Sequence, residues 1–285
     1  MDVQEMCVIG AGTMGTGIAQ TAAQAGIRVH LLDTSQEAMY RSQRLLDRSL
    51  RRGVETARIT PDDARRVREL VSWDPTWQAL SEADWVIEAV TEDLAVKREV
   101  LRQASRTIPR ETPVATNTLA LPVDELAGAS GRPECFLGLH FFNPAPAIEL
   151  VLIDPGTETA DDIVEAARSL CDRLGKKPVT SMDVPRSVVN RALGSLLTAA
   201  IDLLDEGAEP EAIDSAIEMA MGHAMGPLRT ADLMGLDTVL KMLRVLYEST
   251  GQERYEPPRR LVEMVEQGRL GRKSGEGFYD YSSEE

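Results

Sequence analysis

The chain has 285 residues, 43% of them apolar and 27% charged, with a formal net charge of −15. That composition belongs to a globular protein built as one large domain or two smaller ones. It excludes a nucleic-acid binder, which needs a basic face, and the longest apolar stretches, about ten residues, are too short to span a bilayer.

The opening stretch "MDVQEMCVIGAG" is acidic and runs straight into a strand, unlike a signal peptide. Cys7, Cys135 and Cys171 are odd in number and widely spaced, which suits neither a disulfide framework nor a metal knuckle. Cys7 and Cys135 read as small hydrophobes on strands, and the expected compartment is a reducing cytoplasm.

Up to residue 182 apolar runs alternate with helical patterns. "MCVIGAG", "RVHLLD", "ADWVIEAV", "TPVATNT", "CFLGLHFFN" and "IELVLID" read as strands, and 13–25, 35–52, 61–70, 94–106 and 160–175 as helices. Continuous apolar strands separated by helices imply a parallel sheet covered on both faces. From about 187 the strands vanish, and helices are expected at 187–205, 209–221, 229–249 and 257–267. The predicted fold is α/β followed by all-α: a doubly wound sheet over 1–182 and a helical domain over 183–285.

"VIGAGTMGTG" contains Gly10, Gly12 and Gly15 in the pattern G-x-G-x-x-G, followed by Thr13 and Met14 at the start of a helix. Alone the pattern is weak, but here a strand precedes it, a helix follows, and Asp33 closes the next strand, 23 residues after Gly10. Gly10 permits the tight turn, Gly12 lets the backbone approach a pyrophosphate, and Gly15 allows close helix–strand packing. The helix N-terminus then faces the diphosphate. A carboxylate at Asp33 binds ribose hydroxyls and repels a 2′-phosphate, so NAD is expected rather than NADP, in a Rossmann-type domain.

Residues 41–68 carry nine arginines against four acids, leaving +5 in an acidic protein. They read either as two solvated helix faces or as a dock for a phosphorylated or acidic partner. His140, in "GLHFFNPAP" at a strand end, is one of three histidines. His30 reads as a satisfied core histidine and His223 as surface or helix-end packing. Met219, Met221, Met225 and Met234 read as core filler before a substrate surface.

The pieces "GAGTMGTGIA", "DWVIEAVTEDLAVK", "NT" at 117–118, "GLHFFNP", "VPRSVVNRAL", "MGPLRTADLMGLD" and "GRKSGEGFYDY" cover nearly the whole chain in order. Together they resemble the 3-hydroxyacyl-CoA dehydrogenase family, bacterial 3-hydroxybutyryl-CoA dehydrogenases included. The resemblance implies an NAD-dependent oxidation of a hydroxyacyl thioester, or its reversal, in a cleft between the domains of a homodimer joined through the helical domain. It makes His140 the general base, for which imidazole suits both directions, and Asn190 the residue that positions the substrate. Glu92, Lys97, Asn143 and Lys273 fall on cofactor-side positions, and Asn117 at the mouth of the site.

Two positions depart from the family pattern. Leu119 stands where a substrate-binding Ser follows "NT", and Leu152 stands twelve residues after His140, where a Glu orients the imidazole. Glu149 reads as the nearest acid, but its odd offset on a regular strand points to the other face, unless a bulge after the prolines changes the register. Two leucines also make the pocket drier and disfavour an imidazolium. Arg229 replaces the commoner acid after "GPL"; it either pairs with Asp232 at i+3 or faces an anionic substrate. Arg48, Arg51 and Arg52 are placed to meet the phosphates of coenzyme A or, equally, an acidic acyl-carrier protein, as in relatives of polyketide extender-unit synthesis. A catalytically silent NAD-binding homologue and a dehydrogenase of free hydroxy acids remain the alternatives, and no metal site is expected.

Overall fold

The computed structural model describes residues 2–118, 121–180 and 188–282. The chain divides into two compact units, Met1–Pro185 and Arg186–Glu285. The expected boundary after 182 lies outside the described residues.

In chain order the first unit contains β1 (Glu5–Ile9), α1 (Thr13–Gln24), β2 (Arg28–Leu32), α2 (Gln36–Glu55), α3 (Pro61–Leu70), β3 (Val71–Asp74) and β4 (Trp85–Glu88). There follow α4 (Leu94–Ala104), β5 (Val114–Thr116), α5 (Val123–Ser130), β6 (Phe136–Phe141), β7 (Leu150–Pro155), α6 (Asp161–Arg173) and β8 (Lys177–Thr180). The strands make one eight-stranded sheet in the order β3-β2-β1-β4-β5-β6-β7-β8. Order reverses between β1 and β4, the switch point at which doubly wound sheets bind ligands beyond their strand ends.

Alternation along β1 explains why both faces are covered. Met6 and Val8 enter a core with Ile18, Leu46 and Val67, while Cys7 and Ile9 enter a second core with Leu101 and Leu126. Helix starts follow from local chemistry. Ser35 caps α2 and Asp93 caps α4 through side-chain oxygens, and Thr60 with Asp63 forms a capping box ahead of Pro61 on α3.

Three elements lie outside the sequence reading. β3 and β8 are four-residue edge strands, too short to alternate visibly, and β8 carries Pro178, which an edge tolerates. α5 is an eight-residue helix with Gly128 inside it, a weak former on propensity alone. The sheet is also not wholly parallel, because β7 runs antiparallel to β6. Residues 142–149 join them, a connection too short for the crossover that a parallel pair requires.

The second unit is helical: α7 (Val188–Asp205), α8 (Pro210–Met221), α9 (Pro227–Met234), α10 (Leu236–Thr250) and α11 (Arg259–Glu266). Leu197, Ile201, Leu236, Leu243 and Leu261 form its core. The single helix expected over 229–249 is two helices, broken at Gly235, whose φ of +93° belongs to neither. Asp232 on α9 accepts the backbone N–H groups of Phe278 and Tyr279 at 3.0 Å each and the Tyr281 hydroxyl at 3.2 Å, which docks the "GFYDY" tail. Burial is the main reason its carboxyl pKa is raised. Met219, Met221 and Met225 are not core filler: they are exposed, the first by 81%, and Met234 alone of the four packs against the core.

Candidate active site

The glycine loop leaves β1 at the switch point, and its three glycines are required for different reasons. Gly10 has φ +111°, and a Cβ there would stand 2.6 Å from the Ala89 carbonyl oxygen. A Cβ on Gly15 would lie 1.8 Å from the Gly10 carbonyl oxygen, so helix and strand could not pack. Around Gly12, at the N-cap of α1, a Cβ would meet nothing within 4 Å. Packing alone does not require glycine there, and the open space leaves room for a group to approach the backbone. Thr13 and Met14 begin α1, where backbone N–H groups have no intrahelical acceptor.

Asp33 follows β2 and holds the loop in shape: Oδ2 accepts from the Ala11 N–H and Oδ1 from the Ser35 N–H, both at 2.8 Å. A small cavity beside it is lined by Ile9, Leu32, Trp77 and Val90. Flat apolar walls next to a carboxylate suit the adenosine end of a dinucleotide, so the residues present fit NAD.

Beneath the loops after β4 and β5 lies an ion pair that sequence reasoning missed. Lys97 and Glu88 are both fully buried, and Lys97 Nζ donates to Glu88 Oε1 at 2.7 Å. Glu88 also accepts from the Val90 N–H at 2.7 Å and the Thr116 hydroxyl at 2.6 Å, while Lys97 reaches the carbonyls of Asn117 at 3.3 Å and Val90 at 3.4 Å. Glu92, on the rim, stands 3.7 Å from the same ammonium and accepts from the Thr118 hydroxyl. Lys97 thus ties together the ends of two strands. Asn117 extends the tie, since its Oδ1 accepts from the Phe141 N–H at 2.9 Å, beside His140.

His140 is 5% exposed on β6. Across the antiparallel pair it faces Leu152, while Gly138 faces Asp154. The Asp154 carboxylate meets His140 Nε2, which corrects the reading of Glu149 as the nearest acid. Glu149 is exposed and pairs with Lys177 instead. Asp154 is nearer to position 152 in sequence than Glu149 is, and its even offset keeps it on the same face; counting forward along the strand as well as back finds it. The loop beyond His140 carries Asn143, exposed, and is pinned by buried Lys176, whose Nζ donates to the carbonyls of Ala145 at 2.6 Å and Ile148 at 2.9 Å. Burial depresses that lysine's pKa. A Cβ on Gly17 would stand 3.1 Å from Ala145 Cβ, so α1 and the histidine loop pack directly.

The remaining expected residues are dispersed. Leu119 lies outside the described residues. In the second unit Asn190 is buried on α7, and Lys273 pairs with Asp237. Arg229 does not pair with Asp232. Its guanidinium lies 4.1 Å over the Tyr279 ring and 3.8 Å from Asp214, because buried Asp214 accepts the N–H groups of Leu228 and Arg229 and already faces that turn. His30 has Glu5 and Ser72 as partners but is half-buried on β2 and not in the core, and His223 is exposed. On the first unit's surface Arg41, Arg65, Arg66 and Arg68 have acidic partners. Arg44, Arg48, Arg51, Arg52 and Arg58 are exposed with no ion pair among the described residues. No group of side chains able to hold a metal ion is found among the described residues.

Comparison with known proteins matches both units in turn. The NAD binding domain of 3-hydroxyacyl-CoA dehydrogenase matches residues 5–184, and the C-terminal domain of the same enzyme matches 188–281. A probable 3-hydroxybutyryl-CoA dehydrogenase of Deinococcus radiodurans is 41% identical, over 96% of this chain and 99% of that protein. Its counterpart in Bacillus subtilis is 39% identical, over 99% of this chain and 98% of that one. Among solved structures, FadB2 of M. tuberculosis superposes with a TM-score of 0.95 at 36% identity, over 99% of this chain and all of the other. The (S)-3-hydroxybutyryl-CoA dehydrogenase PaaH1 of Ralstonia eutropha gives 0.91 at 36% identity, with 99% and 100% covered. The chain therefore belongs to the 3-hydroxyacyl-CoA dehydrogenase family and is an NAD-dependent dehydrogenase.

Proposed function

We propose that the chain oxidises a 3-hydroxyacyl-CoA, or reduces the corresponding 3-oxoacyl-CoA, with His140 as the proton acceptor. One observation carries the reading: a buried imidazole at the end of β6, followed by a loop that packs against the glycine-loop helix. Gly10, Gly12, Gly15 and Asp33, with Glu92 and Asn143 of the same unit, would hold NAD, which supplies the hydride acceptor when bound; Lys273 of the second unit is the further cofactor-side residue that the family resemblance implies. His140 takes the hydroxyl proton as the carbinol hydrogen departs as hydride, leaving a ketone, and returns the proton in the reverse direction. Asn190 orients the acyl carbonyl. The exposed arginines of α2 take the phosphates of the carrier, since unpaired guanidinium groups are the usual partners of phosphate.

Five unpaired arginines in so acidic a protein also favour a second reading, in which the acyl group arrives on an acidic carrier protein, as in polyketide extender-unit synthesis. The exposed Met219, Met221, Met225, Leu203 and Leu233 of the second unit support a homodimer formed there, and three free cysteines support a cytoplasmic location. The deciding assay follows NADH formation with 3-hydroxyacyl-CoA, 3-hydroxyacyl-carrier protein and free 3-hydroxy acid in parallel. Turnover of the CoA ester is the expected result. Preference for the carrier-bound form moves the substrate to the second reading, turnover of the free acid alone removes the thioester, and NAD binding without any turnover refutes the enzyme reading.

A further inference from the structure

The geometry points to Asp154 as the residue that positions His140, in place of a carboxylate at 152. This rests on His140 being the proton acceptor. Register supplies the first argument: 152 and 154 lie on one face of β7, and in the antiparallel pair Asp154 falls opposite Gly138, one pleat from His140. Space supplies the second. A Cβ on Gly138 would stand 3.1 Å from Asp154 Cβ and 3.2 Å from His140 Nε2. A side chain at 138 would crowd both groups, so glycine there leaves the carboxylate and the ring room to meet.

Charge supplies the third. Asp154 is 7% exposed, its Oδ1 has no hydrogen-bond partner among the described residues, and its Oδ2 meets His140 Nε2. A buried carboxylate is costly unless a cation or donor faces it, and the imidazole is the group that does. Leu152, also buried, closes the other side with hydrocarbon. Nε2 is the ring nitrogen against the Asp154 carboxylate, so the proposed tautomer places the hydrogen there and leaves the lone pair on Nδ1. Nδ1 is then the atom that takes the hydroxyl proton, and Asp154 holds the ring while its positive charge develops.

Asp154→Asn, His140→Ala and the double variant test this on the full-length enzyme with saturating NAD. Asp154→Asn is expected to lower kcat by roughly 10–100-fold, a part of what a general base supplies, with KM for NAD unchanged. In the His140→Ala background the same substitution should change nothing further, because Asp154 acts only through the ring. An undiminished kcat in Asp154→Asn, or an equal loss in both backgrounds, overturns the assignment. Full activity in His140→Ala would instead remove the proton-acceptor reading itself. With three histidines in the chain, ¹⁵N NMR of the unaltered enzyme gives a second readout independent of variant folding. His140 should show the Nε2–H tautomer, and an Nδ1–H form overturns the proposal.

Discussion

Replacing Lys97 by Met tests whether the buried ion pair holds the cofactor side of the first unit together. Both partners are fully buried, and Glu88 has three donors: Lys97 Nζ, the Val90 N–H and the Thr116 hydroxyl. Breaking a buried pair from one side costs about 3–5 kcal/mol because it strands the other charge. Two of the three donors stay, so the lower end, about 3 kcal/mol, is expected. For a unit of this size 1 kcal/mol corresponds to about 2–4 °C, so the unfolding midpoint should fall by roughly 6–12 °C.

Trp73, Trp77 and Trp85, the three tryptophans of the chain, all lie in the first unit, so their fluorescence in urea reports that unit by itself. The double variant Glu88→Gln/Lys97→Met removes the stranded charge and should recover more than half of the loss. NAD affinity should fall in Lys97→Met as well, because the loops that Lys97 ties, at Val90 and Asn117, flank the site. A cost under about 1 kcal/mol, or a double variant as unstable as the two single losses added together, would refute the reasoning, since coupled partners do not add.

Gly12→Ala should leave stability within about 1 kcal/mol, as expected for an N-cap change in open space, yet weaken NAD binding measured by calorimetry. Gly15→Ala, whose Cβ would overlap the Gly10 carbonyl, should fail to give a stable protein; equal behaviour of the two would contradict the roles assigned. Substituting Arg48, Arg51 and Arg52 by Ser should raise KM for the CoA ester without altering KM for NAD, and the difference should shrink as salt is added. An effect on both constants would place those arginines elsewhere. Burial pushes the thiols of Cys7 and Cys171 up to about 12, so the folded protein at pH 8 should take up at most one equivalent of iodoacetamide, at Cys135, and the unfolded chain all three.

Much of this site was legible because its constraints are local. The glycine spacing, the acid closing the second strand and the histidine at a strand end each depend on a few consecutive residues, so a dinucleotide site could be expected before any fold was known. What stayed hidden depends on pairing between strands. Glu88 reads as one more residue of "WVIEAV", and nothing within that strand shows that Lys97 reaches it from the next helix. Breaks that depend on one backbone angle, such as Gly235 between α9 and α10, were hidden for a similar reason.

The histidine's partner shows how such an error arises and how far it can be corrected. Fixing attention on position 152 made the loss of an acid there equivalent to the loss of a carboxylate at the ring. Yet a strand face repeats every second residue, so a side chain two positions away can reach the same imidazole provided the strand opposite makes room. Here the opposite position is Gly138. A leucine at 152, an aspartate at 154 and a glycine at 138 belong together in this reading, since a carboxylate at 154 faces position 138, where glycine leaves it the most room. Gly138→Ala should accordingly impair turnover as Asp154→Asn does, through the space it fills and not through any charge it removes.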